Sequence, residues 1–218
     1  MKKIVAKKKK RSYSLGEEIF SAVTHGVGAL LSIIALVLML MRANGGGKPN
    51  AIFASAMFGG TLIILYTMST LYHSLAAKGA KKVFRIFDHD TIFLLIAGTY
   101  TPYLLVAMNN RAAWCIFFVL WALATVGIVF DSIMLDKFRK IEMVLYVCMG
   151  WCILLALGSL LENLAPTGFA LLLAGGIFYT VGIVFYAMKK VKYMHSIWHL
   201  FVLCGSVLQF FSVYFYVL

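Results

Sequence analysis

His195 and His199 stand four residues apart in an apolar stretch near the C-terminal end of the chain. On a helix this spacing puts both imidazoles on one face, one turn apart, where they can share a metal ion. The plainer alternative is a pair of polar residues at a helix mouth. Inside an apolar span, however, ionisable side chains are costly and usually functional. His73 closes another apolar run and supplies a third nitrogen if the two runs are neighbours in space. Three histidines with an open fourth position form a catalytic type of zinc site. Zinc in such a site lowers the pKa of a bound water to roughly 7.

Two further residues suit that chemistry. Ser69 lies one turn before His73 and could orient the water or a substrate carbonyl; the alternative is a helix-packing serine. Asp88 could hold the water or accept its proton. The alternative for Asp88 is an acid at a helix N-terminus, where the dipole favours it, and that explanation suits Asp90 better. His89 sits between these two acids and could be plain surface. Glu18, Ser21, Thr24 and His25 form a polar stripe in the first apolar run, with Glu18, Ser21 and His25 on one face. The stripe either lines the same cavity or hydrogen-bonds helices together. Asp131, near the end of the fourth run, either pairs with a nearby base or faces a cavity.

The elements that must position these residues are transmembrane helices. Of 218 residues, 62% are hydrophobic and only 13% are charged, about half the charge of a soluble domain. Seven apolar segments of bilayer-spanning length run over 19–41, 51–73, 88–107, 113–133, 141–161, 167–188 and 194–217. The reading is an all-α, polytopic membrane protein. Residues 1–18 form a basic tail and residues 19–218 a single seven-helix transmembrane domain. Pro166 falls where a first helical turn accepts it, and Pro102 predicts a kink inside the third span. The first segment is too long, and lacks a small-x-small site, for a cleaved signal peptide. No internal repeat appears, and no GxxxG falls within a span.

The net charge of +12 follows topology rather than a nucleic-acid surface. Seven Lys and Arg residues lie in the first eleven positions, and the rest sit between apolar runs. Counted by alternate loops, seventeen fall on one side and three on the other. The positive-inside rule then predicts a cytoplasmic N-terminus and an external C-terminus. That orientation gathers all five histidines in the inner half of the membrane. The basic tail suits anionic lipid headgroups, and no basic patch interleaved with aromatics points to nucleic acid. Cys115, Cys148, Cys152 and Cys204 all lie in apolar runs and read as small buried or lipid-facing residues.

Three blocks carry a resemblance. Ser69-x3-His73, then Phe87-Asp88-His89 leading to the Leu94–Pro102 stretch, then His195-x3-His199 together resemble the hemolysin III branch of the progestin and adipoQ receptor family. Glu18-x2-Ser21-x2-Thr24-His25 resembles that family's opening motif. The resemblance covers nearly the whole chain. It implies a seven-helix bundle with its N-terminus inside and a zinc ion bound by His73, His195 and His199. It implies that Asp88 contacts the zinc-bound water. Asp90 departs from the family's frequent serine. Animal members are receptors with a ceramidase-type activity, and bacterial members carry a hemolysin label. The leading expectation is a zinc-dependent membrane hydrolase acting on a lipid amide or ester, with Asp88 and Ser69 as its catalytic residues. A sensor or regulator of membrane state with structural zinc is the second reading, and a pore the third.

Overall fold

The computed structural model describes residues 13–134, 137 and 139–218; the basic residues 2–11 lie outside the described residues. The first helix, α1 (Leu15–Gly46), begins at a capping box. The Glu17 N–H donates to the Ser14 hydroxyl, while the Ser14 N–H donates to Glu17 Oε2 at 2.8 Å. It ends at Gly47, whose φ of 63° is the left-handed conformation that closes a helix. Its buried positions are Glu17, Ser21, His25, Gly28, Ser32, Ala35, Met39 and Ala43. That stripe of small and polar residues recurs every three or four positions, whereas Ile19, Val23, Leu30 and Ile34 face outward. A helix in water shows the opposite arrangement. Here lipid solvates the apolar face, and the bundle interior takes the polar one.

The remaining spans follow in order. They are α2 (Ala51–Ser74), α3 (Lys78–Pro102) running on through a π-helical turn at Tyr103–Met108, and α4 (Arg111–Met134). The fifth span is α5 (Arg139–Trp151), a 3₁₀ segment (Cys152–Ala156) and α6 (Leu157–Asn163). Then come α7 (Pro166–Ala187) and α8 (Met194–Ser212), which ends in a second π-helical turn, Val213–Val217. Among the described residues, seven helical stretches are long and apolar enough to cross a membrane. Alternation places the starts of α1, α3, α5 and α8, and the ends of α2, α4 and α7, at one end of the bundle.

One feature departs from expectation, and another shows what Pro102 does to its helix. Helix α3 starts at Lys78, ten residues before the expected edge of its span, because Ala80, Lys81 and Lys82 are good helix formers and Gly79, in the first turn, does not interrupt them. Asp88 and Asp90 are therefore deep in the helix, beyond the reach of its N-terminal dipole, and the helix-start explanation for them fails. At Pro102 the hydrogen-bond pattern changes from α to π, and the Asn109 N–H reaches back to the Leu104 carbonyl at 3.0 Å. Pro166 stands at the first position of α7, as expected. Cys115, Cys148 and Cys204 face outward, and Cys152 is half-buried.

Helix α3 is the most enclosed of the seven spans and forms the central pillar. Its Phe93 packs over Gly127 of α4, where an added Cβ would fall 2.5 Å from the ring. Helices α7 and α8 join along a seam of glycines spaced by seven: Gly168, Gly175 and Gly182 lie under Tyr216, Gln209 and Phe201. Small residues let the two backbones approach without any GxxxG. Hydrogen bonds lock the seam. Gln209 Nε2 donates to the Leu172 carbonyl at 3.0 Å, Ser212 donates to the Gly168 carbonyl at 2.7 Å, and Tyr103 donates to Gln209 Oε1 at 3.0 Å.

Candidate metal centre

His73 is the penultimate residue of α2, and His195 is the second residue of α8, with His199 one turn further on. The antiparallel course of these spans brings the end of one to the start of the other. His195 Nε2 lies 3.3 Å from His73 Nε2 and 3.2 Å from His199 Nε2. His73 and His199 are buried, and His195 is half-buried. Three imidazole nitrogens turned toward one point, out of water, are mutually repulsive unless a cation or a proton lies among them. The group could hold a metal ion.

The surroundings fix the rings. The Nδ1–H of His73 donates to Glu18 Oε2 at 2.7 Å, which leaves Nε2 as the free lone pair in that tautomer. Lys81 Nζ meets the other Glu18 oxygen at 2.8 Å. Tyr13 stacks on His195 with centroids 4.7 Å apart, and Trp198 packs against the same ring at 5.1 Å. His25 lies parallel to His199, 3.7 Å away and 14° from coplanar. Helix α8 is itself anchored to α1. The Tyr193 N–H donates to Glu17 Oε1 at 2.8 Å, and the Ser21 and Ser196 hydroxyls are 3.0 Å apart. Glu17 thus caps its own helix and ties down the start of α8.

Three side chains here carry buried polar atoms with no hydrogen-bond partner among the described residues: the Ser69 hydroxyl, one turn before His73, both nitrogens of His25, and His199 Nδ1. Each is fully buried. Asp88 is buried and lines an apolar cavity of about 160 Å³, together with His25 and His89. No hydrogen bond among the described residues joins the Asp88 carboxylate to the three imidazoles. The cavity continues between α3, α5, α7 and α8 as far as Tyr103 and Gln209.

Sequence reasoning brought together His73, His195 and His199, and placed Ser69 and Asp88 beside them. It missed the Glu18–His73 bond, because nothing in the spacing of residues 55 apart signals it. The spacing of His25 signals only a polar stripe, whereas its ring sits directly against His199. His89 turns away from the three histidines, with Nδ1 3.0 Å from Glu142 Oε1.

The haemolysin-III-related family profile matches residues 13–210. Hemolysin-3 of Bacillus cereus is 46% identical over 202 residues, covering 93% of this chain and 92% of that protein. The Hemolysin-3 homolog of Bacillus subtilis (strain 168) is 42% identical over 204 residues, covering 94% and 96%. A more distant relative is the human monocyte to macrophage differentiation factor, 25% identical over 166 residues, or 73% of this chain and 68% of that one. Seven apolar helices, a histidine-rich group fit for a metal ion and these relatives agree: the chain belongs to the haemolysin-III-related family, as a multi-pass protein of the cell membrane.

Proposed function

We propose that this protein is a zinc-dependent intramembrane hydrolase that cleaves a lipid amide or ester, with its site on the cytoplasmic side. The observation that carries the reading is the nitrogen spacing. A tetrahedral zinc with Zn–N bonds of roughly 2.0–2.1 Å sets its nitrogens about 3.3 Å apart. The Nε2 atoms of His73, His195 and His199 are spaced by 3.2 and 3.3 Å. When bound, zinc supplies Lewis acidity toward a carbonyl and brings water to a pKa of roughly 7.

The chain's own residues supply the rest. Glu18 orients His73, and Tyr13 and Trp198 hold His195 by packing. Asp88 accepts the proton of the attacking water and returns it to the leaving amine or alcohol. Ser69, whose hydroxyl has no partner among the described residues, donates to the substrate carbonyl oxygen. The apolar cavity takes an acyl chain: from Asp88 to Tyr103 along α3 is about 22 Å at roughly 1.5 Å per residue. The basic residues favour a cytoplasmic N-terminus, an external C-terminus, and contact of the basic residues of the 1–18 tail with anionic headgroups.

A second reading has one observation in its favour: the Asp88 carboxylate is not tied to the imidazoles. In that reading zinc staples α2 to α8 in a sensor or regulator of membrane state. Zinc-loaded protein assayed against ceramides, acyl amides and phospholipid esters separates the two. Hydrolysis lost in Asp88→Asn, with zinc and melting temperature retained, supports the enzyme. A zinc-loaded protein that cleaves none of them, and that melts markedly lower with chelator, supports the staple.

A further inference from the structure

The first and last spans, α1 and α8, touch at both ends and part between them. At the three-histidine end the Ser21 and Ser196 hydroxyls are 3.0 Å apart, and the rings of His25 and His199 stack. At the other end the Arg42 guanidinium lies over the ring of Tyr214, in the turn that closes α8, 5.0 Å from its centre. Between these contacts runs an apolar groove of about 210 Å³. Small residues make room for it: Gly28, Ser32 and Ala35 on α1 and Ser206 on α8 form its bed, beside Tyr66 of α2. An added Cβ at Gly28 would fall 2.7 Å from the Tyr66 ring, so the absence of a side chain there lets the ring lie across the bed. The rims are Leu31, Ile34, Leu38 and Phe211, all exposed on the lipid-facing surface.

The hydroxyls of the bed are already paired. Ser32 donates to the Gly28 carbonyl at 2.7 Å, Tyr66 donates to Ser206 at 2.7 Å, and the Tyr179 and Ser206 hydroxyls are 2.9 Å apart. The groove therefore suits hydrocarbon. Its length suits one leaflet: Gly28 to Leu38 is about 15 Å at roughly 1.5 Å per residue, half of a hydrocarbon core of ~30 Å. One helical turn beyond Leu38, where the apolar run ends, stands Arg42. Arg42 is exposed, and no carboxylate among the described residues pairs with it. Its ring partner Tyr214 stacks in turn on Phe210 of the groove wall, with centroids 5.5 Å apart and planes 24° from parallel. Lys48 follows in the same stretch, with Nζ donating to the Val217 carbonyl at 2.8 Å. Residues 42–50 carry these two cations and no acid.

We propose that the α1–α8 cleft binds one anionic phospholipid, with an acyl chain in the groove and the phosphate on Arg42. A guanidinium meets two phosphate oxygens with parallel N–H bonds, and the cation–π contact with Tyr214 keeps it at the groove's end. In a zwitterionic headgroup the lipid's own ammonium competes with Arg42 for the phosphate, so the site prefers a headgroup without one. The bound chain joins the first and last spans where they part. The groove and the cavity assigned to hydrolysis share no lining residue. The inference rests on neither zinc nor hydrolytic activity.

The test is native mass spectrometry of delipidated full-length protein in a non-ionic detergent, titrated with dioleoyl phosphatidylglycerol or dioleoyl phosphatidylcholine. Wild type should retain one phosphatidylglycerol per chain and markedly less phosphatidylcholine. Arg42→Gln should weaken that retention about fivefold, the worth of one basic residue at a membrane surface. Ala35→Leu fills the groove and should abolish retention; Ser32→Leu fills it at the next turn if the first variant fails to fold by circular dichroism. Equal retention of the two lipids by wild type overturns the proposal. So does phosphatidylglycerol retained undiminished in Arg42→Gln or in a folded groove variant, which would place the lipid elsewhere, the hydrolytic cavity included. A dimer that persists with phosphatidylglycerol present and separates in Ala35→Leu would give the groove to a second copy of the chain, and overturns it equally.

Discussion

The bond between Glu18 and His73 offers a graded test of how the three-histidine centre is held. Glu18 accepts from His73 Nδ1 at 2.7 Å, with the His73 side chain 1% exposed and the Glu18 side chain 16% exposed. A carboxylate behind a metal-ligating histidine fixes its tautomer and raises its basicity, and losing one typically costs 10–100-fold in metal affinity, about 1.4–2.7 kcal/mol. The shielded position of this pair puts Glu18→Ala in that range. Glu18→Gln keeps an acceptor oxygen but loses the charge, so its loss falls near the lower end. Lys81 also pairs with Glu18, at 2.8 Å, but its side chain is 26% exposed. Solvent screening limits such a pair to about 1 kcal/mol or less, so Lys81→Met weakens zinc by only a few-fold. Competition titration of each purified variant against a chelator of known zinc affinity gives the order wild type, Lys81→Met, Glu18→Gln, Glu18→Ala. Wild-type affinity in Glu18→Ala would refute the reasoning, as would an equal loss in Lys81→Met.

Other consequences are independent of that bond. His25→Phe preserves the stack on His199 and removes both nitrogens, so zinc stoichiometry should be unchanged by metal analysis; loss of the metal would mean that the site needs a fourth histidine. Gly127→Ala drives a methyl to 2.5 Å from the buried Phe93 ring. Overpacking of this kind costs about 1–3 kcal/mol and should lower the melting temperature without altering zinc content. An alkaline phosphatase reporter fused after Leu218 should be active, and one placed in the α2–α3 connection inactive, if the N-terminus is cytoplasmic. The reverse pattern would overturn the orientation. Liposomes carrying the protein should leak small ions no faster than empty ones, whereas sustained flux would favour a pore.

Much of the architecture was legible in the sequence because membranes simplify the code. Apolar runs of bilayer length, bounded by Asn44–Pro49, Asn109–Asn110 and Ala165–Pro166, mark where helices cross. The His195–His199 spacing is a local signal that a helix converts directly into shared geometry. What stayed hidden depends on contacts between helices. Helix α3 extends back to Lys78 because charged residues with good helix propensity continue a helix beyond its apolar window. The α7–α8 seam uses glycines at a seven-residue interval, which a search for GxxxG overlooks. The pairing of Glu18 with His73, and the convergence of His89 with Asp131 and Glu142, join residues 42 to 55 positions apart. Hydropathy carries no information about which helices lie side by side.

In the proposed function, His73, His195 and His199 together hold a zinc ion. Its most direct test is elemental analysis of purified wild-type protein beside the His195→Ala/His199→Ala double variant, both shown to be folded by circular dichroism. About one zinc per chain is expected in wild type and none in the variant. Equal zinc in the two proteins, or none in wild type after zinc loading, would contradict it.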